Sequence, residues 1–129
     1  MILFRHLQPC QNFHITVMEI AKILHIPPSV IVRIERWAYV IFIHRRDRGG
    51  QFLSYRKLQR WQNAVACQIQ KCTDEEQLEK LWWAIQADCK KFAKQYNMES
   101  YQAFIDKIWT KQWCKLNKIS SQFPQLQVC

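Results

Sequence analysis

The spacing of apolar residues near the start of the chain predicts two short helices joined by a turn. In Val17–Leu24 the apolar residues recur at i, i+3, i+4 and i+7, as on one buried face of a helix. A proline pair follows, which disfavours helix in the residue before it and suits the first turn of a new helix. The second predicted helix, about residues 28–38, places Ile31 and Ile34 on an apolar side and two arginines near the opposite, cationic side.

A β-hairpin is predicted next. Residues 39–43 are aromatic and β-branched, a composition typical of a strand. Gly49 and Gly50 are the two glycines of the chain and permit a tight turn, after which residues 51–53 can return as a second strand. The arginines at the tip of this hairpin are predicted to point outward: Arg45, Arg46 and Arg48.

Three longer helices are predicted in the remainder. Ser54 is a suitable N-cap for a helix over residues 55–71, and an acidic capping box at residues 73–76 opens the next one. In that helix the apolar residues are spaced alternately by four and three, as in a packed or coiled helix pair. The last helix, about residues 98–117, carries an apolar stripe so wide that a second, intermolecular contact face is expected. The residues predicted at a dimer contact are Leu78, Trp82, Ile85, Ile105, Ile108, Trp109 and Trp113.

The charge of the chain indicates what kind of partner the protein binds. A net charge of +9 favours a polyanionic partner, with nucleic acid the first candidate and an acidic membrane surface the second. Residues 1–72 hold 11 Lys/Arg against 3 Asp/Glu, whereas residues 73–129 hold 8 against 7. The first half is therefore expected to bind the anion and the second half to act as a scaffold.

Other chemistry is not indicated. The six cysteines are scattered, without C-x-x-C or a Cys/His cluster at zinc-ligand spacing, and most are interpreted as small core residues. The four histidines lie apart without carboxylates nearby in sequence, so neither an enzyme nor a metal or cofactor site is expected. Arg5 and His6 interrupt the apolar opening before a signal peptide can form, and no run of about 18 apolar residues is present. A cytoplasmic protein without a membrane span is expected.

Helix, turn, helix, hairpin and third helix together resemble the winged helix-turn-helix of the MerR family of transcriptional regulators, over about residues 15–66. Residues 17–22, VMEIAK, look like the family's I-G-E-L-A-K opening, and Ile31 with residues 35–36 is similar to its I-R-x-Y-E-R. The last match is to G-Y-R-x-Y-S-x-x-D-L-x-R, at Gly49, Ser54, Leu58 and Arg60. The chain also departs from the family at four positions. His25 stands where the family has its turn glycine, and Val32 stands where it has its recognition-helix arginine. Arg33 replaces the family's phosphate-contacting tyrosine, and Gln51 replaces its wing arginine.

The resemblance implies a mainly α fold in which a winged helix-turn-helix with a small β-hairpin wing precedes C-terminal helices for dimerisation. Residues 13–72 would form the DNA-binding domain and residues 73–118 the dimerisation region, with flexible termini at 1–12 and 119–129. Recognition-helix contacts would come from Ser29, Val30, Arg33 and Arg36. The arginines of the wing and the first turn of the third helix, with Tyr55, Arg56, Lys57 and Arg60, would hold phosphates.

The expected function is a homodimeric, sequence-specific regulator of double-stranded DNA, with repression favoured over activation because no small-molecule effector site is evident. Small repressors associated with type V-K CRISPR-associated transposons are similar in this compact form. Two alternatives stay open. One is an excisionase-like DNA-architectural or recombination accessory factor, and the other is a basic protein-interaction module.

Overall fold

A computed structural model describes residues 2–117 of the chain. Its helices are α1 (Ile2–Leu7), α2 (Pro9–Asn12), α3 (Val17–Leu24), α4 (Gln59–Gln70), α5 (Glu75–Lys91) and α6 (Met98–Leu116). Its strands are β1 (Ile31–Arg36), β2 (Ile41–Arg45) and β3 (Gly49–Leu53), and short 3-10 turns occupy Pro28–Val30, Tyr55–Lys57 and Ala93–Gln95. The mainly α class is therefore confirmed, together with a small antiparallel sheet of order β1-β2-β3.

The first helix of the sequence analysis is confirmed as α3, where the Thr16 hydroxyl accepts a hydrogen bond from the Glu19 N–H and so caps the helix. The helix ends at His25, whose φ of 57° lies in the left-handed region that closes many helices.

The N-terminus differs from the expected flexible segment. The sequence predicts loose residues at 1–12, yet α1 buries Leu3, Phe4 and Leu7 in the core. The apolar residues at the start of the chain therefore form a helix of the core.

The predicted second helix is wrong, because most of residues 28–38 form a 3-10 turn followed by β1. The error has a physical cause. Ile31 and Ile34 are three apart, a spacing that fits one helix face, but a β-bulge between Ile31 and Arg33 lets both residues face inward from a strand. The β-branched run around them then pairs along β2 instead of forming a helix. The structure therefore contains a three-stranded meander where a helix-turn-helix is expected.

The hairpin prediction is confirmed, but β2 begins two residues later than the predicted strand 39–43, and β3 is two residues longer than the predicted strand 51–53. Strands β2 and β3 pair antiparallel from Ile41↔Leu53 to Arg45↔Gly49, and residues 46–48 make the turn. Gly49 has a φ of 77°, the positive value that closes a three-residue hairpin loop. Gly50 serves a different purpose, since a Cβ there would lie 2.3 Å from Cζ of Phe42. The absence of a side chain at Gly50 lets the Phe42 ring lie against the β3 backbone.

The three C-terminal helices of the sequence prediction are present, but the first begins at Gln59 instead of residue 55, and Ser54 caps the 3-10 turn before it. The side chain of Asp74 caps α5 by accepting from the Gln77 N–H, and Oε1 of Gln77 accepts from the Thr73 N–H, so the cap lies one residue later than the capping box predicted at residues 73–76. Leu58 and the apolar face of α4 are buried in the core, namely Trp61, Val65, Ala66 and Ile69. Residues 13–72 and 73–118, predicted as separate regions, share one hydrophobic core, and the predicted tail at 119–129 lies outside the described residues.

Candidate nucleic-acid interface

The sheet has one face in the core and one face in solvent. Ile34, Ile43 and Gln51 lie in register on the inner face. Two cross-strand rows lie on the outer face because side chains alternate along a strand. One row is Glu35, Phe42 and Phe52, and the other is Arg33, His44 and Gly50.

Three aromatic rings cover part of this outer face, and we name them the open aromatic cluster: Trp37, Phe42 and Phe52. The Trp37 ring is stacked on Phe42 with centroids 5.3 Å apart, and Phe52 contacts both rings edge-on at 5.0–5.3 Å. Trp37 is 45% exposed and Phe52 is 57% exposed. Large apolar side chains this exposed and this close together form a surface suited to binding rather than a part of the core.

Polar side chains border the open aromatic cluster. Nε2 of His44 contacts Oε2 of Glu35 across the strand pair, and an Arg33 guanidinium nitrogen lies 3.5 Å from the same oxygen. The hydrogen bond with His44 is the main cause that lowers the pKa of Glu35, and the positive charge of Arg33 lowers it further. Glu35 is therefore a carboxylate at neutral pH. The sequence analysis finds no carboxylate close in sequence to a histidine, but strand pairing brings Glu35, nine residues away, to His44.

The hairpin tip presents two of its three predicted arginines to solvent. Arg46 and Arg48 are exposed, and Nε of Arg46 donates a hydrogen bond to the Ser29 carbonyl at 3.1 Å. The hydrogen bond with Arg45 is the main cause that lowers the pKa of Asp47, and the positive charge of Arg48 lowers it further. Arg46 and Arg48 extend the positive charge of the sheet beyond its outer face.

The predicted outward position of Arg45 is wrong. Arg45 lies on the inner face of the sheet, where its side chain is only 4% exposed. Its guanidinium donates to both oxygens of Asp47 at 2.7–2.9 Å and to Oε1 of Gln51 at 2.6 Å. The bond with Asp47 raises the pKa of Arg45. The alternation of β2 causes this placement, since Ile41, Ile43 and Arg45 all point the same way.

Tyr55 and Arg56 are also predicted to meet phosphates, and both are instead buried. Arg56 donates to both oxygens of Asp88 at 2.5–2.8 Å, and Phe4, Trp61 and Phe92 pack around its guanidinium at 3.7–5.0 Å. The hydroxyl of Tyr55 donates to the Trp37 carbonyl at 2.6 Å. Of the three cations at the start of the third predicted helix, Arg56 is therefore part of the core, whereas Lys57 and Arg60 remain exposed.

The remaining predicted contacts are dispersed. Ser29 and Val30 lie on the 3-10 turn before β1, and Arg36 donates to the Phe13 carbonyl at 2.7 Å, so no recognition helix brings them together. Arg33 lies on the outer face of the sheet. Lys57 and Arg60 are exposed, and Nε of Arg60 lies 3.4 Å from a carboxylate oxygen of Glu19.

The predicted dimer residues divide into two groups. Four of them are fully buried inside the described chain and cannot line an interface in this fold: Leu78, Ile85, Ile105 and Ile108. Their apolar stripe packs α5 and α6 within one chain. Trp82 and Trp109 are half-buried against each other, with centroids 5.0 Å apart, and Trp113 is exposed.

The open aromatic cluster is not predicted from the sequence, where residues 39–43 are interpreted only as a strand. A usable signal is present, because the alternation in residues 41–45 sends Phe42 and His44 to the face opposite Ile41 and Ile43.

Comparisons of the chain with protein-family models, with curated proteins and with solved structures found no match. Among residues 2–117, no helix is long and apolar enough to cross a membrane.

Proposed function

We propose that the protein binds nucleic acid on the outer face of its sheet, with unpaired bases stacked on the open aromatic cluster. The observation that carries this proposal is the position of three clustered rings on the solvent face of a strongly basic chain. Trp37 and Phe52 offer exposed aromatic surface, and Phe42 supports both from the middle strand. Stacking of bases on aromatic side chains is a principal source of affinity for single strands.

The charge around the cluster favours a nucleic acid over an apolar protein partner. Arg33 lies on the same face, and Arg46 and Arg48 lie at the hairpin tip that joins two of the three strands. The half of the chain that contains the sheet also holds nearly all of the excess positive charge. A phosphate backbone that runs across the sheet would meet these arginines while its bases stack on the rings.

Unpaired nucleotides suit this surface better than a duplex does. The flat side of a base is covered by its neighbours in a double helix, so aromatic side chains on a sheet can stack only on bases that have left the duplex. A recognition helix, the element that would enter a major groove, is absent from residues 28–38.

The test is a fluorescence-anisotropy titration of the full chain against fluorescein-labelled single strands and against a duplex of the same sequence. The single strand is expected to bind more tightly, with an affinity that falls as salt is raised. The double variant Trp37→Ala with Phe52→Ala is expected to weaken single-strand binding by roughly ten- to a hundredfold, because each stacked base contributes about 1–3 kcal/mol.

Trp83→Ala is the matched control. Trp83 is 66% exposed on α5, so its removal also deletes an exposed tryptophan but leaves the sheet unchanged. Binding should be unaffected by this control. Equal loss of affinity in both variants, or full affinity in the Trp37/Phe52 variant, would count against the sheet as the binding surface.

A second candidate is the homodimeric, MerR-type regulator of double-stranded DNA expected from the sequence. It is favoured by the exposed Arg46 and Arg48 on a hairpin tip, where a wing would contact phosphates. It predicts tighter binding to the duplex than to the single strand, and a specific operator among promoter fragments. The same titration therefore separates the two candidates.

A further inference from the structure

We infer that the outer face of the sheet selects guanine among unpaired bases, with Glu35 and Arg33 contacting its Watson–Crick edge. This inference rests on the proposed function, because it concerns the specificity of the same surface. Its basis is the position of these two side chains beside the rings.

Glu35 lies at the edge of the open aromatic cluster. It is paired directly across β1 and β2 with Phe42, and it is two residues before Trp37, whose ring is stacked on Phe42. The Trp37 side chain is also close enough to the Glu35 carboxylate to contribute to its low pKa. A base stacked beside these rings would therefore present its edge to the carboxylate.

The carboxylate and the guanidinium beside it form an ordered array. Both Arg33 and His44 contact Oε2 of Glu35. Because an ionised carboxylate only accepts hydrogen bonds, His44 donates from Nε2 to Glu35, and its contact with Arg33 at 3.1 Å is not a hydrogen bond in that tautomer. Two partners on one oxygen orient the carboxylate, which has about four acceptor positions in all and so retains acceptor capacity.

Guanine is the base that complements this array. Its Watson–Crick edge presents one acceptor, O6, followed by two adjacent donors, N1–H and the N2 amino group. Glu35 can accept from both donors while Arg33 donates to O6, so the pair supplies the pattern that cytosine supplies in a duplex. Adenine, cytosine, thymine and uracil each place an acceptor beside their single donor group, and that acceptor would face the carboxylate.

The selectivity test uses labelled oligothymidylates that carry one central guanine, adenine, cytosine or hypoxanthine, and matching oligouridylates to compare DNA with RNA. Guanine is expected to bind roughly tenfold more tightly than adenine or cytosine, the discrimination typical of a bidentate contact. Hypoxanthine lacks the N2 amino group and should lose most of that preference. Equal affinity for all four test bases would overturn the inference while leaving the proposed function intact.

Glu35→Gln is the diagnostic variant. It removes the paired acceptors but keeps the rings, so it should abolish the preference for guanine over hypoxanthine while general binding to oligothymidylate persists. Glu79→Gln is the control, because Glu79 is exposed on α5 and its substitution changes the net charge equally. Retained guanine preference in Glu35→Gln would overturn the inference. Failure of every oligonucleotide to bind would remove the proposed function together with it.

Discussion

The protein contains two aromatic clusters that each combine rings, an arginine and a carboxylate, but in opposite environments. In the buried aromatic cluster, Phe4, Trp61 and Phe92 enclose the Arg56–Asp88 ion pair. In the open aromatic cluster, the rings lie beside the Arg33–Glu35 pair in solvent. The residue types are nearly the same, so composition does not separate a core from a candidate binding surface. The layer in which each cluster lies separates them.

The two clusters also differ in what their polar groups bind. Asp88 accepts from Arg56 and from the Tyr96 hydroxyl, which itself accepts from Nε1 of Trp61 at 2.8 Å. These partners are all supplied by the folded chain, which makes the buried cluster a determinant of stability. The Arg33–Glu35 pair is exposed to water, where such a pair contributes little to stability and can exchange partners with a ligand.

The largest expected effect comes from breaking the buried ion pair. Asp88→Asn would leave the charge of Arg56 buried without its counter-ion, which costs about 3–5 kcal/mol. Urea unfolding followed by circular dichroism measures the change in free energy of unfolding. Asp106→Asn, at an exposed position on α6, is the control and should shift it by less than about 0.5 kcal/mol. Similar losses in both variants would contradict the distinct role of the buried cluster.

The second prediction uses the two glycines to separate folding from binding. Gly50→Ala would put a Cβ against the Phe42 ring and displace it, which we expect to cost about 1–3 kcal/mol of stability and most of the affinity for single strands. Gly49→Ala meets no atom within 4 Å but imposes a positive φ on alanine, at about 1–2 kcal/mol.

The matched readout is the ratio of binding loss to stability loss in the two glycine variants. Gly49→Ala should lower thermal stability while the remaining folded protein binds normally, because the rings keep their positions. A Gly50→Ala protein that binds oligonucleotides as tightly as the unmodified chain would show that Phe42 does not need to lie against β3.

Helices and strands can be predicted from the sequence where the spacing of apolar residues fits only one kind of element. Val17–Leu24 and the helices after residue 58 are predictable because their apolar residues repeat with helical periodicity, and α3 and α5 also begin at side-chain caps. Residues 28–38 are not, since a β-bulge gives a strand the spacing expected of a helix. The bulge depends on pairing with β2, a long-range contact that a local pattern does not contain.

The candidate site is less predictable than the fold, for a related reason. Charge density draws attention to Arg45 and Arg56, but each has an acidic partner that only the folded chain supplies or orients. Asp47 is visible two residues from Arg45, whereas Asp88 is 32 residues from Arg56. A run of positive charge therefore predicts an electropositive half without predicting which arginines remain in solvent.

The third prediction concerns the arginines of the hairpin. Arg46→Ala with Arg48→Ala should lower the slope of log affinity against log salt by roughly 0.7 for each phosphate of the single strand that an arginine no longer neutralises. Thermal stability should change little, because both side chains are exposed. Arg45→Ala is the internal comparison, and it should lower the melting temperature because it removes the buried bonds to Asp47 and Gln51. An unchanged salt slope in the double variant would remove the hairpin tip from the binding surface.

The smallest expected effect is a pH dependence at Tyr55, the residue that joins the two clusters. The ring centroids of Tyr55 and Phe4 lie 6.3 Å apart, and the Tyr55 hydroxyl donates to the carbonyl of Trp37. Burial raises the pKa of Tyr55 to about 12, above its ordinary value of 10.0. The unfolded chain therefore releases this proton at lower pH than the folded chain does, so stability is fully present below pH 10 and falls as pH rises toward 12.

Tyr55→Phe should remove the part of the alkaline destabilisation that belongs to this hydroxyl, a difference of about 1 kcal/mol between neutral pH and pH 11. The variant begins less stable at neutral pH, because the Trp37 carbonyl loses its donor. Other buried acids, including Cys89 with a pKa raised to about 11 by burial, titrate in both proteins and cancel in the comparison. Urea midpoints measured at neutral pH and near pH 11 give the two slopes. An equal loss of stability with pH in both proteins would mean that Tyr55 ionises as readily in the folded chain as in the unfolded chain. The Tyr55 hydroxyl would then be accessible to water.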